Sequence, residues 1–407
     1  MNPPSTLHGD PSAAPVPRGL LALLTTAAVL IFAQAFMIAP LLPRLAQFFA
    51  TTPQTIGLAV PAYLLPYGAM TLAWGPLSDR VGRRPVILTS LAVFVALTAA
   101  TALVDTAAAF IGLRLATAVG ASGVVPIALA LIGDLFPYHR RGQALGWLFG
   151  GMAGGIALGA AGGALGEPVL GWHGLFLTAA ATGLVLLLTA AALLPATGRA
   201  ATAAPPRAIT AGYLALVRTT RGRRTYTYVL LNAVLQSGVY TWLGLYLSQR
   251  YGLDDAGIGL ALLGYGLPGF LFGPLIGRIA DRHGRARLIP AGVALTGLCA
   301  LLLAAPLPLA AAQAAIIALS LGYDMTQPPL GGIVTDLPGH RGQAMALNVF
   351  TLFTGLGLGA LAFQALLGAG FTVALAAFGA AALAAGALAA PLFRHEHPRP
   401  DPAATRT

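Results

Sequence analysis

The chain has 407 residues, of which 57% are hydrophobic and 9% charged, and its 23 basic residues outnumber 12 acidic ones for a formal charge of +11. Soluble globular proteins carry roughly a quarter charged residues, so this composition excludes an ordinary soluble enzyme, a coiled coil and a disordered chain. Every basic residue is arginine and no polar domain gathers them into a patch, which sets nucleic acid aside as a partner and leaves an integral membrane protein.

A hydrocarbon core of about 30 Å takes roughly 20 apolar residues in a helix. That length predicts twelve spans, at 19–43, 54–77, 85–104, 107–133, 143–166, 173–195, 226–249, 256–278, 287–305, 309–335, 342–367 and 370–393. Span 1 holds Gln34 within Ala33-Gln34-Ala35, which also has the form of a signal-peptide cleavage site. Removing that span would break the arginine pattern and the repeat described below, so it is read as a membrane helix. Span 2 carries Tyr63 and Tyr67 one turn apart and ends in GPLSDRVGRRPV (75–86), which must turn the chain tightly into span 3. Gly75 is expected to let the helix ends approach, Asp79 to cap the first N–H groups of span 3, and Arg83 to reach back to Asp79. Arg114 lies about seven residues into span 4, roughly 10 Å from its end, and Asp134 follows that span. Span 5 places Gly155, Gly159 and Gly163 on one face suited to close helix packing, and Glu167 beyond it is expected in solvent. The long polar stretch after span 6 predicts three parts: bundle 1–195, loop 196–225, and bundle plus tail 226–407. Its arginines either hold the loop inside or bind anionic lipid headgroups.

Span 7 presents Asn232, Gln236 and Tyr240 as one polar stripe at i, i+4 and i+8; span 8 adds Tyr265 and ends in GRIADRHGRAR (277–287). Such stripes line a cavity or bind helices together. The single Cys299, in span 9, leaves no intrachain disulfide or cysteine metal cluster. Span 10 holds Asp324 about fifteen residues in, near the midplane, with Gln327 on the same face and Pro328-Pro329 expected to break the helix beyond. A broken helix beside a buried acid is a common construction for a midplane site. Ionisable residues inside a bilayer are costly and functional by default. Arg114 and Asp324 are therefore functional candidates, Asp324 as a proton or substrate residue, against structural roles as a partner of backbone carbonyls and a cap on the helix break. Gln34, Tyr63, Tyr67, Asn232, Gln236, Tyr240, Tyr265 and Gln327 are the candidate cavity residues.

With the N-terminus inside, the tails and even-to-odd loops hold twenty arginines and the opposite side only Arg44 and Arg250. Positive charge stays on the cytoplasmic side, so both termini are expected there. An offset of 202 residues lays the second half on the first: Gln34 on Gln236, Gly57 on Gly259, Tyr63 on Tyr265, Gly75 on Gly277, Asp79 on Asp281, Arg83 on Arg285 and Asp134 on Asp336. Parallel repeats of six spans imply two similar bundles about an axis along the membrane normal, with a substrate between them.

In this setting the stretch 75–86 resembles the signature loop of the major facilitator superfamily, and 277–287 its second-half echo, so the resemblance covers essentially the whole chain. It implies an all-α membrane protein of twelve transmembrane helices in two six-helix bundles related by pseudo-two-fold symmetry. It implies a gating charge cluster of Asp79, Arg83 and Asp134, with Gly75, Arg80, Gly82 and Arg84 in the same loop. The second-half equivalents are Gly277, Asp281, Arg282, Gly284, Arg285 and Asp336. Such clusters would hold an outward-facing state and break as the bundles rock; the alternative is a topology anchor. RLATAVGAS (114–122) is similar to the family's second motif, whose arginine is associated with proton coupling, but has Thr117 and Ala118 where glutamine and glycine are usual. The Gly-Pro motif of the drug/proton antiporters is matched in span 5 except at Ala160 and Ala164.

The expected function is proton-driven export of small amphiphilic or hydrophobic molecules, by a monomer in the cytoplasmic (inner) membrane, with the proton gradient and no cofactor or metal. A proton symporter or uniporter importing a metabolite is the alternative within transport, and a non-transporting sensor or scaffold the alternative outside it. A membrane enzyme needs a convergent nucleophile, metal site or acid–base pair, and none is visible, so no enzyme is expected.

Overall fold

The computed structural model describes residues 19–136, 138–195, 206–262, 264–266, 268, 271–272, 276, 285–338 and 341–396. Span 1 is two helices, Leu20–Phe36 and Ile38–Phe48, bent by 45°. Pro40 explains the bend, since its ring crowds the carbonyl four residues back and it offers Phe36 no N–H. Span 2 comprises Pro53–Gly57 and Ala59–Val81, span 3 Arg83–Thr101, and span 4 Ala107–Ala121 with Val124–Leu135. Spans 5 and 6 occupy Tyr138–Leu193, divided at Gly171, whose φ of 64° suits glycine. Span 7 is Thr220–Tyr251, and span 8 is described chiefly through Asp255–Leu262. Spans 9 to 12 are Arg285–Ala304, Leu309–Thr335, Arg341–Leu367 and Phe371–Phe393. No strand occurs among the described residues.

Two expectations change. The polar stretch after span 6 is not all loop: Pro206–Arg218 is a helix that buries Leu216 against Tyr226, Val334 and Leu347 of the second bundle. Span 10 runs unbroken through Pro328 and Pro329. The prolines deprive the carbonyls of Asp324 and Met325 of their i+4 donors, a loss that a helix embedded among others tolerates.

The twelve spans form two bundles of six, spans 1–6 and 7–12. Apolar burial gives little drive between helices in lipid, so close packing must supply it. Span 5 shows how. At Gly151, Gly155 and Gly163 a Cβ would lie 2.9, 2.5 and 3.0 Å from the carbonyl oxygens of Thr25, Val29 and Met37 on span 1, and Gly159 presses on Ala33 in the same series. Neither helix could approach the other this closely if those positions carried side chains.

The turn at Gly82 and the ends of the described chain lie at the arginine-rich end of the molecule; the bundles meet near the other, arginine-poor end. There spans 2 and 11, 1 and 7, and 5 and 8 pack across the boundary. Gln364 Nε2 donates to the Gln54 carbonyl at 3.0 Å, Gly57 abuts the Trp242 ring, and a Cβ on Gly68 would sit 2.9 Å from that of Phe353. The arginine-poor end is closed.

Candidate functional site

The loop after span 2 is held by one arginine. Arg83 Nη1 lies 2.5 Å from Asp79 Oδ1, Arg83 Nε donates to Asp134 Oδ2 at 3.2 Å, and the guanidinium also donates to Ser78 Oγ. Gly82 makes the turn with φ 107°, and Arg84 Nη2 donates to the Ala191 carbonyl at 2.7 Å. Arg80 sits in the last turn of span 2. Asp79 lies inside the helix Ala59–Val81 and caps nothing, because Gly82 is the N-cap of span 3. A Cβ on Gly75 would meet no atom within 4 Å, so close helix approach does not account for this glycine in the present state. In the second half Arg285 Nη1 donates to Asp336 Oδ2 at 2.7 Å. Gly277, Asp281, Arg282 and Gly284 lie outside the described residues. Each cluster ties helices of one bundle together.

Arg114 is fully buried in the first bundle. Its Nη1 donates to Gln34 Oε1 at 2.9 Å and to the Gln34 carbonyl at 3.3 Å; Nη2 donates to the Ala35 carbonyl at 3.1 Å. The Tyr63 ring lies under the guanidinium, 4.1 Å from Cζ to centroid. A buried cation is thus stabilised by carbonyl oxygens and a π-face just ahead of the bend in span 1. These partners all belong to the first bundle, so the structure does not bring Arg114 to Asp324. The hydroxyls of Tyr63 and Tyr67 and Gln34 Nε2 make no hydrogen bond among the described residues.

The polar stripe of span 7 splits three ways. Asn232 Nδ2 donates to Thr326 Oγ1 of span 10 at 2.5 Å, Gln236 Nε2 to the Tyr265 hydroxyl of span 8, and the Tyr240 hydroxyl to the Phe36 carbonyl of span 1 at 2.9 Å. The last bond crosses between bundles. It also has a cause in the sequence, because Pro40 leaves the Phe36 carbonyl without an intrahelical donor. Asp324 is half-buried, accepts a weak bond from Ser320 Oγ at 3.4 Å, and lies within electrostatic reach of Tyr265 and Tyr323. Gln327 Nε2, one turn on, is buried without a hydrogen bond among the described residues.

An aromatic seam joins these groups across the boundary. Tyr265 packs at a tilt against Tyr240, 4.4 Å between centroids, Tyr240 meets Phe36 at 5.7 Å, and Tyr67 stacks on Phe353 at 4.3 Å. Sequence reasoning misses Phe36 and Phe353, because polar groups within apolar spans stand out and apolar rings do not; the spacing of Phe32 and Phe36, one turn apart on span 1, is the signal that could have found the first. Glu167 is also not solvated. It is 6% exposed and accepts from Arg44 Nε at 3.0 Å. Among the described residues no group of three His, Cys, Asp or Glu could hold a metal ion.

A family model described as Major Facilitator Superfamily matches residues 24–258 and 246–407. The chain belongs to the major facilitator superfamily. This facilitator is 30% identical over 272 residues to the uncharacterized MFS-type transporter YceJ of Bacillus subtilis, covering 64% of this chain and 67% of that one. It is 30% identical over 171 residues to the multidrug resistance protein MdtL of Escherichia coli, 40% of this chain and 42% of MdtL, so that match spans less than half of the relative. The crystal structure of a POT family transporter in complex with 5-aminolevulinic acid shares the fold, with a TM-score of 0.78 at 15% identity over 93% of this chain and 96% of that one. The facilitator is therefore a multi-pass membrane transporter of twelve helices in two bundles.

Proposed function

We propose that this facilitator exports small amphiphilic or hydrophobic molecules in exchange for protons, by alternating access between the bundles 1–195 and 226–407 joined through 196–225. In this reading the arginine-rich end and both termini face the cytoplasm, as the arginine asymmetry favours. The carrying observation is the place of Asp324: a half-buried carboxylate linked through Tyr265, Tyr240 and Phe36 to the boundary where the bundles separate. Rearrangement of that boundary changes the polarity around Asp324, and with it the affinity for a proton, which is the linkage that coupling needs. The aromatic seam of Phe36, Tyr67, Tyr240 and Phe353 suits an amphiphilic or hydrophobic substrate, and the similarity to a multidrug resistance protein supports export. The Arg83 and Arg285 clusters brace the arginine-rich corner of each bundle and gate that end when it closes.

Asp324→Asn tests the reading. Inverted vesicles are loaded with a fluorescent lipophilic substrate with and without an imposed pH gradient. The variant is expected to bind and exchange substrate but to lose the response to the gradient. A response equal to the parent's would make Asp324 structural, and transport driven by the gradient of opposite sense would replace export by symport.

A further inference from the structure

The closed end carries charges that the coupling site does not use. Spans 5 and 8, from opposite bundles, touch there: a Cβ on Gly259 would lie 2.9 Å from Ala164 Cβ and 3.0 Å from Leu165 Cγ. One turn further towards the arginine-poor surface, Glu167 follows span 5 and Asp255 precedes the body of span 8. Their carboxyls face each other closely enough for a side-chain hydrogen bond. Asp255 is not occupied in capping its own helix, because Asp254 Oδ1 accepts the Gly257 N–H at 2.8 Å. Glu167 has a cation, Arg44 at 3.0 Å from the first bundle, and Asp255 lies within that cation's field.

The surrounding elements supply no second cation among the described residues. Arg250, at the end of span 7, donates to the Ala305 carbonyl at 3.3 Å, and the Tyr251 hydroxyl donates to the Leu307 carbonyl at 2.9 Å. Residues 309–320 of span 10 contain no ionisable side chain. His173, on span 6, is stacked on Trp172 at 3.7 Å between centroids. One guanidinium therefore serves both Glu167 and Asp255. Two carboxylates facing across a boundary repel, whereas a carboxylic acid facing a carboxylate donates a strong hydrogen bond.

We propose that Asp255 and Glu167 form a proton-dependent latch between the bundles, closed when Asp255 is protonated and donates to Glu167, and opened by repulsion when that proton leaves to the arginine-poor side. Burial holds the Asp255 carboxyl above the usual carboxylate range, the Glu167 charge and hydrogen bond raise it further, Arg44 opposes, and Asp254 adds to the rise. The sign follows. A group whose affinity for a proton is raised in the closed state favours that state at low pH, and loses its effect as pH rises through the raised value. Acid on the arginine-poor side shuts that end. The latch is separate from Asp324; it rests on the alternating-access reading only in requiring that the end can open.

The test reads conformation and needs no substrate. Spin labels on cysteines at Leu103 and Ala369, exposed positions on opposite bundles at the arginine-poor end, report the separation by double electron–electron resonance. In the full-length protein in nanodiscs, the short-distance population is expected to fall as pH rises from about 5 to about 8, within the range opened by a raised carboxylate. Asp255→Asn, which keeps a donor towards Glu167, should hold the short distance at all pH values. Glu167→Gln should flatten the profile too, and Asp324→Asn should leave it pH-dependent even where gradient-driven transport is lost. A parent profile independent of pH, or an unaltered profile in Asp255→Asn, overturns the latch. Neither result bears on Asp324, whose failure is read in the vesicle assay.

Discussion

Tyr240→Phe isolates one bond between the bundles. The Tyr240 hydroxyl donates to the Phe36 carbonyl at 2.9 Å, and that carbonyl has no other source of a donor along its helix because residue 40 is proline. The substitution removes the hydroxyl and keeps the ring, which packs at a tilt against Tyr265 with 4.4 Å between centroids. A net hydrogen bond is worth about 1 kcal/mol in water, and bonds between membrane helices average about 0.6 kcal/mol. An orphaned buried carbonyl adds to the loss, so about 1 kcal/mol is a fair working value. That corresponds to a roughly fivefold shift from the closed towards the open arginine-poor end. The assay is the Leu103–Ala369 distance distribution at fixed pH.

Pro40→Ala makes the test specific. Alanine restores an N–H to the Phe36 carbonyl, so Tyr240→Phe in that background should shift the populations by less than about twofold. The double-mutant cycle then yields a coupling close to the whole effect of the single change, since the two donors compete for one acceptor. Equal shifts in both backgrounds, or none in either, would refute the assignment of the bond to the carbonyl that proline exposes.

Gly159→Leu should prevent stable folding or destabilise by about 3 kcal/mol, because its side chain would enter the backbone of Ala33, whereas Gly162→Leu, facing only Leu158 at 3.9 Å, should be nearly neutral in the same thermal unfolding assay. Glu396 is bound by Arg221 at 2.9 and 2.7 Å and also by Arg224; burial pushes its carboxyl up, but the two guanidiniums outweigh this and hold it below the usual range. Its contribution is therefore present above the ordinary glutamate value near about 4.3 and lost as pH falls through the lowered one, so Glu396→Gln should lower Tm by a few degrees at about pH 7 and by much less below about pH 4.

Much of this architecture is one-dimensional and so legible in the sequence. Span lengths, the 202-residue repeat and the confinement of arginine need only a ruler along the chain, and among the described residues the helices of every span but span 8 fall within a few residues of those limits except where helices continue past them. Partners are different, because they depend on lateral packing. The spacing of Asp79 and Arg83 is enough to pair them, and the place of Asp134 at the end of span 4, which the family resemblance also implies, extends the pair to a cluster. Glu167 reads as solvated because Arg44, its cation, is 123 positions away. The helix Pro206–Arg218 is hidden because its buried face, Tyr213, Leu216 and Val217, is short and runs straight into the polar stretch RTTRGRRT (218–225). Proline at 328 and 329 reads as a break in an isolated helix, yet the surrounding helices hold span 10 through it.

The repeat also shows where the two halves part chemically. Gln34 and Tyr63 of the first half correspond to Gln236 and Tyr265 of the second. In the second half the pair bonds directly, Gln236 to the Tyr265 hydroxyl. In the first half a guanidinium stands between them: Arg114 donates to Gln34 and rests on the Tyr63 ring, so the Tyr63 hydroxyl makes no hydrogen bond among the described residues. At the same offset Arg114 corresponds to Ile316 and Asp324 to Ser122, so one bundle has gained a cation and the other an acid on the same scaffold. Arg114 is fixed by two backbone carbonyls of span 1 and fully buried, which suits a group that keeps its charge and its place. Asp324 is half-buried, accepts from the Ser320 hydroxyl, a group that can serve a carboxylate or a carboxylic acid alike, and lies within electrostatic reach of Tyr265. In the proposed coupling, the first bundle would supply the static charge at Arg114 and the second the proton-binding one at Asp324. A proton bound at Asp324 changes the charge of one bundle relative to the other, and so can bias how the two rock.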